Sequence, residues 1–491
     1  MDKERFYSHF GEIHNIFEVL QILDWDQQVY MPKGGSEQRA ESFSTLSKII
    51  HEKITSEKTG EIIYAFEKLA ETDWDRAHIR EAKRSYEKQK KIPTQLIQER
   101  AKVASITQSV WEEAKPKSDY KTFLPHLKKV VDVLKEISRC GDEQNPYDFL
   151  LDDYEPYITT KILDPLFENL KNELKILIQK YKVKNLEESL KPIKRNVSKE
   201  NQEKIGIFLL NEIGFDFDRG RVDVSVHPFT SGTMNDVRVT TRYSDDFLPA
   251  SLFSILHEGG HAIYEQNLDK ENFKYPAGES CSLGIHESQS RFYENIIGRS
   301  RGFSEKYFSK INKLSSNAFE GIALDDFYRA INTVYPTFIR IEADEVTYNL
   351  HIILRYELEK KIIKGDVKVD DIPDLWNEKF EELFGIKPPT FEKGFMQDVH
   401  WAAGLMGYFP TYSLGNLYAA QIKRAIEKET TPLSDFVKNG KLGDLKEILR
   451  NKIHRFGRFY PSNELIQKAT GEPLSETHYL DYLKEKYENL L

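Results

Sequence analysis

His257-Glu258-Gly259-Gly260-His261 puts two imidazoles and a carboxylate within five residues. On a helix, four residues advance about 400° and roughly 6 Å, so both rings leave one face a turn apart. Rings so placed can share one cation at about 2.0–2.1 Å. Glu258 lies beside them, poorly aimed for a third ligand and well placed to take a proton from an attacking water. With 13 histidines in the chain, chance can also produce this string, and a buried helix with two hydrogen-bonded histidines would look the same. A catalytic zinc takes three protein ligands and leaves one position open. The glycine and third histidine of the extended metzincin pattern are missing, with Tyr264 and Asn267 in their places, so the third ligand must come from another segment. His286-Glu287-Ser288-Gln289 is the best candidate. Neighbouring helical residues point about 100° apart, so only one of His286 and Glu287 readily faces the ion. Spacing does not choose between them, and Glu279 and Glu294 stay open.

The two histidines work together only if their segment is helical. Pro249 suits a first turn, and Ala250, Leu252, Phe253, Leu256 and Ile263 supply apolar positions. Gly259-Gly260 opposes this, because each glycine costs about 1 kcal/mol in a helix interior. Close approach by another backbone or by substrate would offset that cost. A further helix should carry His286-Glu287 and run to Gly298. Most of the remaining chain also has helical spacing, including 5–23, 120–139, 339–363 and 415–427. Another helix should start with Asp164 as N-cap and Pro165 in the first turn. One stretch breaks the pattern: Arg221–Val226 and Asp236–Thr241 alternate polar and β-branched residues around His227-Pro228-Phe229 and Ser231-Gly232, which predicts a small antiparallel hairpin. Residues 1–491 read as one mainly helical body with two lobes around a cleft at most.

Composition narrows the function. A net charge of −9 and no long basic stripe argue against nucleic acid as a partner. Cys140 and Cys281 cannot form a disulfide framework or a cysteine-rich metal site, which fits a reducing compartment. The longest apolar runs, such as Ser251–Leu256, are too short for a bilayer, so no membrane is expected. The charged first residues have no apolar segment behind them, and the expected location is the cytoplasm.

Other residues make the chain resemble the carboxypeptidase Taq family of metallocarboxypeptidases almost end to end. The resemblance starts at Leu23-Asp24-Trp25-Asp26-Gln27 and Met31-Pro32-Lys33-Gly34-Gly35, and runs through Asn145-Pro146-Tyr147-Asp148 and Tyr154-Glu155-Pro156. It then takes in His227-Pro228-Phe229, Asp236-Val237-Arg238-Val239-Thr240, the H-E-x-x-H string and His286-Glu287-Ser288-Gln289. Ile339-Arg340-Ile341-Glu342-Ala343-Asp344 and Gly394-Phe395-Met396-Gln397-Asp398-Val399-His400-Trp401 follow, with a similar tail at Glu464-Leu465-Ile466 and Ala469-Thr470-Gly471. Tyr157 departs from the pattern, standing where the family would have glycine.

The resemblance implies a large helical fold like that of neurolysin and angiotensin-converting enzyme, with a deep groove. It implies zinc or cobalt, a homodimer, and broad removal of single residues from peptides with a free C-terminus. It assigns the metal to His257, His261 and Glu287 and the general base to Glu258. Arg340, read from spacing alone, is a surface partner of Asp344, and the family motif turns it towards the substrate carboxylate. Arg238 and Asp236 become candidates for peptide binding, as do Gln397, Tyr408, Tyr412 and His227. His400 is the first choice to steady the oxyanion. The rival expectations are a helical oligopeptidase or dipeptidyl carboxypeptidase, and a catalytically silent metal- or peptide-binding scaffold.

Overall fold

The computed structural model describes residues 2–141, 144–225 and 227–490. It is mainly helical with one three-stranded sheet among the described residues. No described helix is long and apolar enough to cross a membrane. The chain divides into two compact units. The first comprises Met1–Lys90, Glu187–Ile331 and Tyr418–Leu474, and the second comprises Lys91–Leu186, Asn332–Leu417 and Ser475–Leu491.

The first unit is built around the helix Leu248–Gln266, with Pro249 in its first turn. Leu252, Leu256, Ala262, Ile263 and Tyr264 are all buried in it. The glycines explain how its neighbours pack. A Cβ on Gly260 would lie 2.4 Å from the Gln289 carbonyl oxygen, and one on Gly259 would lie 2.7 Å from Ile213. Only glycine lets the helix Leu283–Arg291 approach backbone to backbone at this point. That helix continues as a π-helix over Phe292–Gly298. The expected extent to Gly298 holds, but the pitch widens.

The sheet corrects the expected antiparallel hairpin. β1 (Gly220–Val224) and β3 (Asp236–Thr241) are neighbours, but they run parallel, with Arg221 opposite Arg238. The hairpin forms instead between β3 and β2 (Thr230–Thr233), in the order β1-β3-β2. Ser231-Gly232 carried turn signals, yet both residues are in the strand. Gly232 has φ +99°, and a Cβ there would lie 1.9 Å from the Asp236 carbonyl oxygen, so its glycine permits tight pairing rather than chain reversal. Met234-Asn235 makes the reversal. Val226, part of the expected first strand, lies outside the described residues.

In the second unit the helix Tyr348–Lys364 is buried on nearly every side. The helix expected over 339–363 is therefore shorter at its start. Arg340–Glu342 is a single 3-10 turn, and the Asp344 carboxylate accepts from the Tyr335, Val346 and Thr347 amides, capping the chain before the helix begins. The helix expected to start at Asp164 instead spans Thr160–Tyr181, where the Asp148 carboxylate accepts from the Thr160 amide. Asp164 accepts from the Tyr356 hydroxyl. Tyr157 adopts φ +69°, the left-handed conformation that favours glycine.

Candidate active site

The first unit brings His257, His261 and Glu287 together. Nε2 of the two histidines lies 3.6 and 3.4 Å from the same Glu287 oxygen, Oε2. Two ligands about 2.0–2.2 Å from a tetrahedral ion stand roughly 3.4 Å apart, so this spacing fits one small divalent cation. One atom from each residue lies within 4.8 Å of the other two. Both rings also have a partner on their far side. His257 Nδ1 is 2.8 Å from Glu294 Oε2. His261 Nδ1 meets His286 Nδ1, and His286 Nε2 is 2.8 Å from Glu265 Oε1. A consistent set of donors follows. His257 donates to Glu294, His261 donates to His286, and His286 donates to Glu265. Both ligand-side Nε2 lone pairs stay free.

Charge acts differently on the three side chains. Burial would raise the Glu287 carboxyl, but Arg291, then His257, hold it well below its usual range. Arg291 donates to Glu287 Oε1 at 2.7 Å and to Glu294 at 3.2 Å. Burial, then His286, push His261 down to about 3, which keeps it neutral. For His257, burial pulls down while Glu287 and Glu294 push up, and the net direction is upward. Glu294 therefore buttresses His257 rather than joining the cluster. Glu279 also stands outside it, paired with Arg458 at 3.0 Å.

Glu258 is 6% exposed, and burial raises its carboxyl. Its Oε2 accepts from the Thr230 hydroxyl at 2.7 Å, and that hydroxyl also reaches the Glu258 carbonyl oxygen at 3.0 Å. Sequence reasoning missed Thr230, because its role depends on β2, which was read as a turn. Arg238 spends its fork on Asp236, two residues away, at 2.9 and 2.8 Å, and stacks 4.2 Å above Trp25. His227 is exposed, and its carbonyl accepts from the Ser225 hydroxyl.

The second unit gathers Arg340, Gln397, His400, Tyr408 and Tyr412. Arg340 is 6% exposed and makes no surface pair with Asp344. Its Nε and Nη2 bind Asp398, and Nη1 donates to the Tyr348 hydroxyl at 2.9 Å. Three of its five N–H groups are thereby used, and two remain without a hydrogen-bond partner among the described residues. Asp398 also takes Arg355 Nε at 2.8 Å. Gln397 accepts from the Arg340 amide at 2.8 Å and donates to the Phe338 and Gly394 carbonyls. His400 Nε2 lies 3.2 Å from the Tyr412 hydroxyl, and its ring packs on Phe409 and Tyr408. Burial pushes His400 down to about 3, so it is neutral. Asp398 stands inside the Gly394–Trp401 string, but its neighbours there gave it no role. Arg355 gave no signal, because it falls in an otherwise ordinary helical row.

A helix carrying two histidines and a buried acid, facing a carboxylate from a second helix, defines a metal-dependent hydrolase. The family model for carboxypeptidase Taq (M32) metallopeptidases matches residues 5–487. Carboxypeptidase 1 of Bacillus subtilis is 41% identical over 99% of this chain and 98% of its own length. Thermostable carboxypeptidase 1 of Thermus thermophilus is 40% identical over 95% and 94%. A solved Pyrococcus furiosus carboxypeptidase superposes with a TM-score of 0.94 at 37% identity, over 99% of each chain. The chain belongs to the carboxypeptidase Taq (M32) metallopeptidase family, and it is a metal-dependent carboxypeptidase that hydrolyses peptides.

Proposed function

We propose that the enzyme removes single residues of many kinds from the free C-terminus of peptides, using one divalent ion held by His257, His261 and Glu287. The carrying observation is the placement of both Nε2 atoms 3.4–3.6 Å from one Glu287 oxygen. Zinc suits two imidazoles and a carboxylate, and cobalt fits the same donors. The ion supplies Lewis acidity towards water and the scissile carbonyl. Glu258 takes the proton of the attacking water and returns it to the departing amine. Thr230 holds the Glu258 oxygen in place. Arg340 offers its two remaining N–H groups to the terminal carboxylate, and His400 with Tyr412 steadies the developing oxyanion. Arg238, Asp236, Gln397, Tyr408 and His227 have secondary roles in shaping the peptide site. The neurolysin-like groove, the homodimer and the cytoplasmic location belong to the same reading.

The test compares a peptide with a free C-terminus and its amide, each with and without chelator. Chelator-sensitive release of single residues from the free peptide alone is expected. Equal cleavage of the amide would replace this reading with an endopeptidase.

A further inference from the structure

Glu359, on the helix Tyr348–Lys364, is fully buried and has no part in the steps above. Its carboxylate accepts from three uncharged donors. Oε1 takes Trp401 Nε1 at 2.7 Å, and Oε2 takes the Tyr147 hydroxyl at 2.7 Å and the Gly407 amide at 3.1 Å. Burying a carboxylate against neutral donors is costly, so its retention needs a reason. Two of its donors bracket one turn. His400 immediately precedes Trp401, and Tyr408 immediately follows Gly407. Gly404 and Gly407 have φ +69° and +98°, and a Cβ on Gly407 would lie 2.8 Å from the Leu150 carbonyl carbon. The turn is thus folded tightly against the helix Pro146–Leu151, which also supplies Tyr147. His400 itself has little to fix it. Its Nδ1 has no hydrogen-bond partner among the described residues, leaving the Tyr412 contact and ring packing to set its angle.

We propose that Glu359 is a positioning residue for His400, with one carboxylate pinning both ends of the turn that aims the imidazole. The inference rests on the role given to His400 above. Glu359→Gln keeps the shape but points an N–H₂ at a donor. The experiment measures kcat, KM and melting temperature for E359Q, H400A and the double variant on a peptide with a free C-terminus. H400A should lower kcat about 100-fold, and E359Q alone about 10-fold with KM within about twofold. In the H400A background E359Q should cost less than about twofold further, because the two act through one group. An unchanged kcat in E359Q, or losses that multiply in full, would overturn the positioning role. An unchanged kcat in H400A would instead overturn the role of His400. Should E359Q fail to fold, Tyr147→Phe removes one of the three donors and passes through the same cycle, with an expected loss of about threefold.

Discussion

Around the paired histidines, each ring gives Nδ1 to a neighbour and keeps Nε2 for the shared Glu287 oxygen, which also accepts from the Ser290 hydroxyl at 3.1 Å. Around Arg340, the charged groups are largely satisfied by one another. Formal charge makes the contrast concrete. Near the metal cluster, the four acids Glu258, Glu265, Glu287 and Glu294 face two arginines, Arg291 and Arg299, leaving two negative charges over. Within the Arg340–Asp398–Arg355 trio one carboxylate meets two guanidiniums, leaving one positive charge over, with the buried Glu359 acting on Arg355 from further off. The first balance suits a divalent cation, and the second suits a single carboxylate. One region groups three side chains that could share a metal ion, and the other is a set of charged groups largely satisfied by one another.

The sharpest break between them is Glu258→Ala. It should lower kcat by about three to four orders of magnitude while elemental analysis still finds the metal. Near-normal turnover would remove Glu258 as base. Asp398→Asn attacks the other region through stability. It leaves two buried guanidiniums unanswered and should cost about 3–5 kcal/mol in urea unfolding. Burial alone would raise Asp398, but Arg340 and then Arg355 hold it well below the carboxylate range. A depressed carboxylate contributes its full stability above its unfolded pKa of about 3.9, and loses it as pH falls towards the folded value. The wild-type enzyme should therefore lose stability below about pH 4 more steeply than Asp398→Asn. Equal slopes would mean that Asp398 carries little of the acid sensitivity. Arg340→Gln removes the surplus charge and should lower kcat/KM for free C-termini by about 100-fold, with less effect on amides. Equal losses on both would deny Arg340 the terminal carboxylate.

The two regions also differ in how far the sequence revealed them. The histidine pair and Glu258 are local, since helical spacing alone puts them on one face, and Gly259-Gly260 already suggested a close neighbour. Choosing Glu287 over His286 or Glu294 took the family resemblance, because His286 is its immediate neighbour and Glu294 lies about two turns further on, near the same face of a regular helix. The π-helix from Phe292, which shapes the Glu294 segment, leaves no pattern in a 3.6-residue reading. The Arg340 region gathers residues some 60 positions apart, where spacing says nothing. Arg340 and Asp344 looked like an i,i+4 surface pair, but Asp344 caps the local chain and Arg340 turns inward to Asp398. The sheet failed for a related reason. Alternation located β1 and β3 but not their direction, and Gly232 disguised a strand as a turn. Tyr157 shows the converse: the expected glycine is missing, which put the local turn in doubt, yet the chain keeps the left-handed conformation there at φ +69°.

Two smaller effects test whether the metal region depends on its outer partners. The Glu265 carboxylate reaches the His261 ring through His286. Glu265→Gln should weaken metal binding about 10-fold in chelator competition. An unchanged affinity would reduce the His261–His286–Glu265 chain to packing. Thr230 lies on the other side of the same chemistry. Its hydroxyl holds the Glu258 oxygen, and it makes no hydrogen bond to a metal-ligating side chain. Thr230→Val is nearly isosteric and removes only that donor, so kcat should fall about fivefold to tenfold while metal affinity stays constant. Thr230→Ser, which keeps the hydroxyl, should recover most of the loss. If Ser and Val behave alike, the hydroxyl is irrelevant and Glu258 is held by burial alone. If Val also releases the metal, β2 supports the whole cluster and not the base in particular.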